Sequence, residues 1–149
     1  MSDPKYDCQL LRNQLCFPLY ACSKEVIRLY RPMLDPFDLT YTQYLALLVL
    51  WEEKKINVKS MGQRLYLDSG TLTPVLKSLE NKGYITRRRC HKDERVLYVE
   101  LTEEGIELQD RMLHIPTELA KCVPLSNEEA LTLYRLLYKA LGEHEDDIL

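Results

Sequence analysis

The sequence predicts a mainly α-helical protein that carries one small β-hairpin. Apolar residues recur at helical spacing along most of the chain. A helix, a glycine-containing turn and a second helix follow one another between residues 59 and 82. Two short runs rich in β-branched residues and arginine come directly after them. The 149 residues are enough for a single domain around one core.

The first helix is expected to begin near Leu15, where a stripe of apolar residues at helical spacing starts. Pro32 and Pro36 are expected to end it and to open a loop. Thr40, with a glutamine three residues later, resembles a capping box. It predicts the start of a second, strongly apolar helix over about 41–52.

A short extended piece at 56–58 and a compact helix at about 59–66 are predicted next. The segment Leu67–Gly70 then makes a turn into a second helix over 71–82, and Gly83 stands at a C-cap position. This order of helix, turn and helix is typical of a helix-turn-helix.

Two strands are predicted at 84–89 and 96–101, on either side of a polar connection. A β-hairpin that directly follows a helix-turn-helix is a wing. A further helix is expected over about 103–120, with Pro124 breaking it. Ser126, with a glutamate three residues later, predicts the cap of a last helix.

The first and last helices are too apolar to stand exposed, yet they lie outside the central part of the chain. Because helix-turn-helix proteins usually pair to bind two half-sites, we expect these helices to form a dimer interface. The expectation is one domain over 1–149, with dimerisation helices at about 13–36 and 103–145. The winged helix-turn-helix lobe would occupy about 40–101.

Charge is distributed unevenly along the chain. The net charge is −3, which by itself disfavours a nucleic-acid partner. Residues 82–95, however, contain six basic and two acidic side chains, so this segment carries +4 and the remainder −7. Because phosphate binding needs local positive charge, the pattern fits DNA binding as well as it fits a solvated hairpin tip.

Major-groove binding needs short polar side chains at the start of the second helix of a helix-turn-helix. Free amides at that start would add an anion site. Pro74 conflicts with this picture unless it lies early in the helix. The candidate DNA-binding residues in the helix and the wing are Ser69, Thr71, Thr73, Lys77, Arg87, Arg88, Arg89, Lys92, Asp93 and Arg95.

Asp93 and Arg95 are two residues apart, so in a regular strand both would project on one side. An aspartate beside an arginine can hold the guanidinium in one direction. An arginine so held at the wing tip could enter a minor groove. The alternative is a surface ion pair that contributes roughly 0–1 kcal/mol.

Five cysteines without a CxxC pair argue against a disulfide scaffold or a zinc ribbon and favour a reducing cytoplasm. The first residues lack the pattern of a secretory signal. No apolar run reaches the roughly 18 residues of a membrane span. His91, His114 and His144 are scattered, so we expect no metal site, and no motif predicts a cofactor or catalysis.

Cys16 lies in the stretch NQLCFPLY. A thiolate near a helix start is stabilised by free amides and can react with peroxides. Pro18 favours a start near Cys16, whereas a start near Arg12 would weaken the argument. Tyr20, one turn on, could donate a hydrogen bond to the sulfur. A cysteine in an apolar stripe is more often inert packing, so the residues alone leave both readings open.

The segment DSGTLTPVLKSLENKGYITRRRCHKDERVLYVELTEEG resembles the winged helix-turn-helix of the MarR family. Its wing motif of Asp93 and Arg95 and the following Leu101, Thr102 and Gly105 are typical. LCFPLYACSKEVIRLYRPMLDPFDLTYTQYLALLVLWE is similar to the organic hydroperoxide sensors of that family. The resemblance runs from about 13 to 105 and more loosely to the C-terminus.

The resemblance implies a dimeric repressor that releases a pseudo-palindromic DNA operator when organic hydroperoxides oxidise Cys16. It implies that Tyr30 and Tyr41 donate hydrogen bonds to the sulfur from the partner subunit. It also suggests Cys122, across the dimer, as the thiol that resolves oxidised Cys16. Other family members use a small cellular thiol for this step.

Three other functions compete with this one. The first is a MarR-type repressor that binds a small aromatic ligand reversibly, with Cys16 inert. A second is a thiol-dependent peroxidase, although no arginine-activated cysteine motif of that class is present. The third is an adaptor that uses the winged helix for protein contacts and binds no DNA.

Overall fold

The structure, a computed structural model, describes residues 4–143. These residues form a mainly helical fold with one small antiparallel sheet, and the predicted fold class is confirmed. The described residues up to 116 and those from 117 on form two separate compact units. The elements are α1 (Cys16–Leu34), α2 (Tyr41–Glu53), β1 (Lys55–Asn57), α3 (Val58–Leu65), α4 (Ser69–Asn81), β2 (Ile85–Arg89), β3 (Leu97–Leu101), α5 (Glu103–Arg111), α6 (Ile115–Cys122) and α7 (Asn127–Leu141).

Both predicted capping boxes are present. At the start of α2, the Gln43 amide donates to Thr40 Oγ1 at 3.3 Å, and the Thr40 amide donates to Gln43 Oε1 at 3.0 Å. At the start of α7, Ser126 and Glu129 exchange the same two bonds. Each box satisfies two amides that have no partner within the helix, which is why these two helix starts could be predicted.

One hydrophobic core lies between the helix-turn-helix, the sheet and α5. The apolar face of α4 supplies two of the eight completely buried apolar side chains named below. Burial of this kind is the main stabilising contribution to a small domain. The side chains with no measurable exposure include Leu47, Leu50, Met61, Leu72, Leu79, Val99, Leu108 and Ile115.

The sheet has three strands in the order β1-β3-β2, and both pairings are antiparallel. β2 and β3 form the predicted wing. The extended piece predicted at 56–58 is shifted by one residue, because Asn57 instead caps α3 through its side chain. β1 pairs with β3 of the wing and leads directly into α3, so it connects the wing to the helix-turn-helix.

The start of α5 packs against the root of the wing. Gly105 is required there, because a Cβ at this position would lie 2.1 Å from the Tyr84 carbonyl oxygen. Thr102 adds two contacts to the same turn, one from its amide to the Tyr84 carbonyl and one from its hydroxyl to the Gly83 carbonyl. The motif of leucine, threonine and glycine is therefore a packing motif.

Two helix boundaries differ from the prediction. Pro32 does not end α1, which continues to Leu34, because the proline removes only one hydrogen bond of the ladder. The helix expected over 103–120 is two helices, α5 and α6, separated after Arg111. Pro116 explains this break, since it would lie inside one continuous helix but occupies the first turn of α6.

No helix of the described residues is long and apolar enough to cross a membrane. The end of the predicted dimerisation segment, residues 144 and 145, and His144 with it, lie outside the described residues.

Candidate DNA interface and redox site

The start of α4 is capped by Asp68, a residue that the sequence analysis did not single out. Its carboxylate accepts the Thr71 amide at 2.8 Å and the Thr71 hydroxyl at 3.1 Å. These bonds, the backbone amide first, hold the pKa of Asp68 below its usual range. The expected anion site at this helix start is therefore already partly filled by a carboxylate, which repels phosphate.

The polar side chains predicted at the start of α4 are exposed. Ser69, Thr71, Thr73 and Lys77 all lie outside the core. The Thr73 hydroxyl donates to the Ser69 carbonyl at 2.7 Å, so its oxygen is left as an acceptor. Pro74 lies inside α4, beyond the first turn, and α4 accommodates the missing hydrogen bond without breaking.

A groove of about 770 Å³ lies between α3, the start of α4 and the wing. It brings together side chains that are far apart in sequence, including four of the predicted DNA-binding residues. It also adds α3, where Lys59 and Gln63 lie one turn apart on the exposed face. The groove is lined by Asn57, Val58, Lys59, Ser60, Gln63, Ser69, Thr73, Arg89, Arg95, Val96, Leu97 and Tyr98.

The first arginine of the wing is held by an acidic residue of α4. Arg87 Nε and Nη2 donate to Glu80 Oε2 at 3.0 and 2.7 Å, and the Arg87 amide donates to Glu80 Oε1 at 3.0 Å. The guanidinium holds the pKa of Glu80 below its usual range. Arg87 thus joins the wing to α4, and its charge is neutralised locally.

The other two arginines lie on opposite faces of β2. Arg88 pairs with Tyr98 across the sheet, whereas Arg89 pairs with Leu97 and lines the groove. Arg89 Nη1 also donates to the Glu94 carbonyl at 2.6 Å, which helps to fix the tip of the wing.

Asp93 and Arg95 are paired, although they lie in the loop between β2 and β3 and not in a strand. Arg95 Nε donates to Asp93 Oδ1 at 3.1 Å, and Arg95 Nη2 donates to Oδ2 at 3.3 Å. These bonds hold the pKa of Asp93 below its usual range. The Arg95 side chain is 91% exposed, so the pair holds a guanidinium out into solvent. Lys92 lies exposed in the same loop.

Cys16 is the first residue of α1, and it is exposed. Its neighbours Leu15, Phe17 and Leu19 are exposed apolar residues, with Leu15 at 86%. Pro18 lies in the first turn, as expected from a start near Cys16, and it contributes no amide there. Within the described residues no hydrogen bond joins Tyr20 to the sulfur.

Tyr30 and Tyr41 lie together at the other end of α1. Their ring centroids are 4.7 Å apart, and the Tyr44 ring lies 5.7 Å from that of Tyr30. Burial, and then the neighbouring Tyr41 and Tyr44, raise the pKa of Tyr30 to about 12. Burial also raises the pKa of Tyr41. Both phenols would be protonated donors at neutral pH even at the ordinary pKa of 10.0, and burial makes loss of the proton still less favourable.

Tyr30 cannot contact Cys16 of its own chain. They are fourteen positions apart along α1, which at a rise of about 1.5 Å per residue is roughly 21 Å. Any contact between this tyrosine and the thiol must therefore come from a second subunit.

Cys122, the last residue of α6, is also exposed, and its Sγ donates to the Glu118 carbonyl at 3.5 Å. Cys8 and Cys22 are exposed, and Cys90 is half-buried in the wing. In the part of the chain that the structure describes, no group of three or more histidine, cysteine or acidic side chains could hold a metal ion.

Comparison with known proteins identifies the family. A family described as transcriptional regulator SarA/Rot matches residues 28–112. The organic hydroperoxide resistance transcriptional regulator of Bacillus subtilis (strain 168) is 48% identical over 137 residues, which cover 92% of this chain and 93% of that protein.

Solved structures share the fold over most of their length. Reduced AbfR bound to DNA is 37% identical, with a TM-score of 0.77 over 93% of this chain and 96% of that one. Disulfide-formed AbfR has a TM-score of 0.66 at 37% identity over 93% and 97% of the two chains. A MarR variant from E. coli complexed with operator DNA is 27% identical, with a TM-score of 0.76 over 94% and 99%.

The fold, the residues matched and the identity along nearly the whole chain agree with one another, and the relatives are regulators of transcription and not enzymes. The chain belongs to the SarA/Rot and MarR group of winged-helix transcriptional regulators, and within it to the organic hydroperoxide regulators.

Proposed function

We propose that this protein is a homodimeric DNA-binding repressor that releases its operator when an organic hydroperoxide oxidises Cys16. One observation carries the proposal. An exposed thiol opens α1 among exposed apolar side chains, in a chain 48% identical to an organic hydroperoxide resistance regulator. The proposal includes a cytoplasmic location, where a transcriptional regulator meets DNA.

The groove between α3, α4 and the wing supports the DNA-binding half of the proposal. It contains one exposed basic side chain from α3 and two from the wing, beside the polar start of α4. The Arg95 side chain is highly exposed and would reach a minor groove, while α4 enters the major groove. In a dimer, the two α4 helices would bind half-sites about 34–36 Å apart.

The sensing step is a nucleophilic displacement. The Cys16 thiolate attacks one peroxide oxygen, the O–O bond breaks, and the products are a sulfenic acid and an alkoxide that takes a proton to become an alcohol. The sulfur is oxidised and the peroxide is reduced. Exposed Leu15, Phe17 and Leu19 would favour organic over inorganic peroxides by burying the apolar part of the substrate.

Tyr30 and Tyr41 are proposed to donate hydrogen bonds to the Cys16 sulfur of the partner subunit. Their raised pKa values support this role, since the phenols stay protonated, and Tyr30 is too far along α1 to serve its own chain. Oxidation would change the sulfur that these donors contact.

Cys122 is proposed to resolve the sulfenic acid of the partner's Cys16. Its thiol displaces hydroxide from the oxidised sulfur, and the products are a disulfide and water. The exposure of both thiols supports this step, as does the existence of a disulfide-formed state of AbfR. Resolution by a small cellular thiol is the alternative.

The energetic requirement is substantial. Moving operator occupancy from 99% to 1% requires a differential free energy of roughly 5.5 kcal/mol. Loss of one hydrogen bond provides only about 1 kcal/mol, so oxidation must also repack the dimer.

Replacement of the thiol tests the proposal. Cys16→Ser should bind the operator as tightly as the wild type in a gel-shift titration and should remain bound after cumene hydroperoxide is added. Wild-type protein should release the operator and rebind after dithiothreitol. Cys22→Ser, on the same helix and also exposed, is the matched control and should behave as the wild type.

The same experiment separates the alternatives. Release of Cys16→Ser by peroxide would remove Cys16 from the mechanism. Wild-type protein that ignores peroxide but releases DNA with an aromatic acid would instead be a ligand-controlled repressor. Failure of reduced protein to bind any operator, at low or moderate salt, would favour the adaptor function. A disulfide-linked dimer on non-reducing gels that is lost in Cys122→Ser would identify the second thiol.

A further inference from the structure

The recognition helix α4 is attached to the N-terminal end of α2 by a partly buried hydrogen bond. Among the described residues, Gln43 is the one buried side chain that is polar, with an exposure of 6%. Its Nε2 donates to Ser78 Oγ of α4 at 2.9 Å. Its Oε1 accepts the Thr40 amide in the capping box, so both ends of the amide are used.

A second polar contact lies one helical turn further on, at Lys82, the C-cap residue of α4. Lys82 Nζ lies 3.0 Å from Asp38 Oδ2, and it also donates to the Asp38 carbonyl oxygen. The Lys82 side chain is 23% exposed, whereas that of Asp38 is 92% exposed, so this contact lies at the edge of the core. Ser78 and Lys82 are four residues apart and therefore share one face of α4. We call these four residues, Asp38, Gln43, Ser78 and Lys82, the clamp.

One of the two tyrosines proposed to contact the sulfur lies between two clamp residues in the sequence. Tyr41 is the first residue of α2 and lies in sequence between Asp38 and Gln43. Its ring lies against that of Tyr30, so the tyrosine pair and the clamp share one short segment. The backbone of this segment therefore connects the tyrosine pair directly to both contacts with α4.

Polar and apolar contacts respond differently to such a displacement. Apolar packing between α2 and α4 is non-directional and tolerates sliding. A hydrogen bond is weakened steeply once its distance and angle depart from the preferred range. The two clamp contacts therefore add a directional constraint on the position of α4 along α2 to the close packing of the apolar core.

We propose that the clamp positions α4 for operator binding and transmits the displacement of Tyr41 to it when Cys16 is oxidised. This inference rests on the proposed function, because it describes how that function reaches the DNA. Asp38, Gln43, Ser78 and Lys82 are positioning residues that contact neither the peroxide nor the bases.

The test measures coupling and not affinity alone. For each protein, the operator Kd is measured in the reduced state and again after cumene hydroperoxide, at a temperature well below the thermal midpoint. The quantity compared is the Kd of the oxidised protein divided by the Kd of the reduced protein. Mass spectrometry of Cys16 confirms equal oxidation. The variant Ser78→Ala/Lys82→Gln should oxidise normally, yet its ratio should be at least about tenfold smaller than the wild-type ratio, within the usual range of allosteric couplings.

Two controls make the result specific. Ser78→Thr keeps the hydroxyl and should restore the wild-type ratio. Arg64→Gln removes a different polar link, from α3 to Glu52 and Glu53 at the far end of α2, and should leave the ratio unchanged. If circular dichroism shows that the double variant does not fold, Lys82→Gln alone replaces it.

A wild-type ratio in the clamp variant, at equal oxidation, would overturn the inference and leave the proposed function intact. An equal loss of coupling in Arg64→Gln would also overturn it, because any weakening of the α2 contacts would then suffice. If even the wild-type protein shows a ratio of one, the proposed function itself fails and the clamp has nothing to transmit.

Discussion

Tyr30 combines two properties at the scale of a single residue. Its ring packs against the rings of Tyr41 and Tyr44. The ring centroids of Tyr44 and Trp51 are 6.2 Å apart, so the Tyr30 phenol lies at the edge of an aromatic cluster. Partial burial disfavours the charged phenolate. A donor that stays protonated can bind a thiolate without itself losing a proton.

The raised pKa of Tyr30 predicts a loss of stability at high pH. The folded-state pKa, about 12, lies above the ordinary value of 10.0, so the folded state holds the proton more tightly than the unfolded state. The resulting stabilisation is fully present below pH 10 and is lost as the pH rises to about 12. Thermal midpoints measured across this range should fall less in Tyr30→Phe than in the wild type. Parallel profiles for the two proteins would contradict the assignment.

The wing arginines illustrate what residue types alone cannot reveal. In the sequence, residues 87–89 are three consecutive arginines that cannot be told apart by residue type. Strand alternation separates Arg88 from its two neighbours, and Glu80, which lies earlier in the chain, neutralises Arg87. Because that pairing depends on how α4 meets β2, only the folded chain distinguishes a structural arginine from one that can bind phosphate.

At the scale of elements, features that depend on nearby residues could be predicted, whereas features that depend on tertiary packing could not. Capping boxes and the helix-turn-helix could be predicted, because each depends on residues within a few positions of one another. The division between α5 and α6 has a local cause, Pro116, that the prediction overlooked. The groove contribution of α3 could not be predicted, because Lys59 and Gln63 approach α4 and the wing only through tertiary packing.

The N-terminus of α4 combines a stabilising cap with an unfavourable charge for DNA. Asp68 satisfies the Thr71 amide, yet its carboxylate stands where phosphate would approach. Asp68→Asn should keep the cap and the thermal midpoint, because asparagine is an equally good N-cap. Removing the negative charge should tighten binding to DNA of random sequence at low salt.

Asp68→Ala provides the matched comparison. It removes both the cap and the charge, so its thermal midpoint should fall by several degrees while its binding to random DNA also tightens. Calorimetry and a salt titration by fluorescence anisotropy would measure the two effects. Weaker random-DNA binding by Asp68→Asn would mean that the carboxylate orients a DNA contact.

At the scale of the whole molecule, the helices near the two ends of the described chain leave many apolar side chains exposed. Apolar side chains are exposed along α1, and α7 has no buried residue at all. On α7, Leu131, Tyr134, Tyr138 and Leu141 recur at helical spacing, and the two tyrosine rings lie 4.7 Å apart. A helix with such a stripe needs a partner surface, which supports the proposed homodimer.

A charge placed within that stripe should therefore separate the subunits. In Leu131→Glu, dimerisation would bury a carboxylate without a partner, which is strongly unfavourable, so light scattering should show a monomer at micromolar concentration. Because a monomer contacts one half-site only, the operator Kd should rise strongly, whereas the free energy of unfolding should change little. Thr132→Glu adds the same charge about 100° around the helix and should stay dimeric. If Leu131→Glu is still a dimer that binds the operator, α7 does not hold the subunits together through this face.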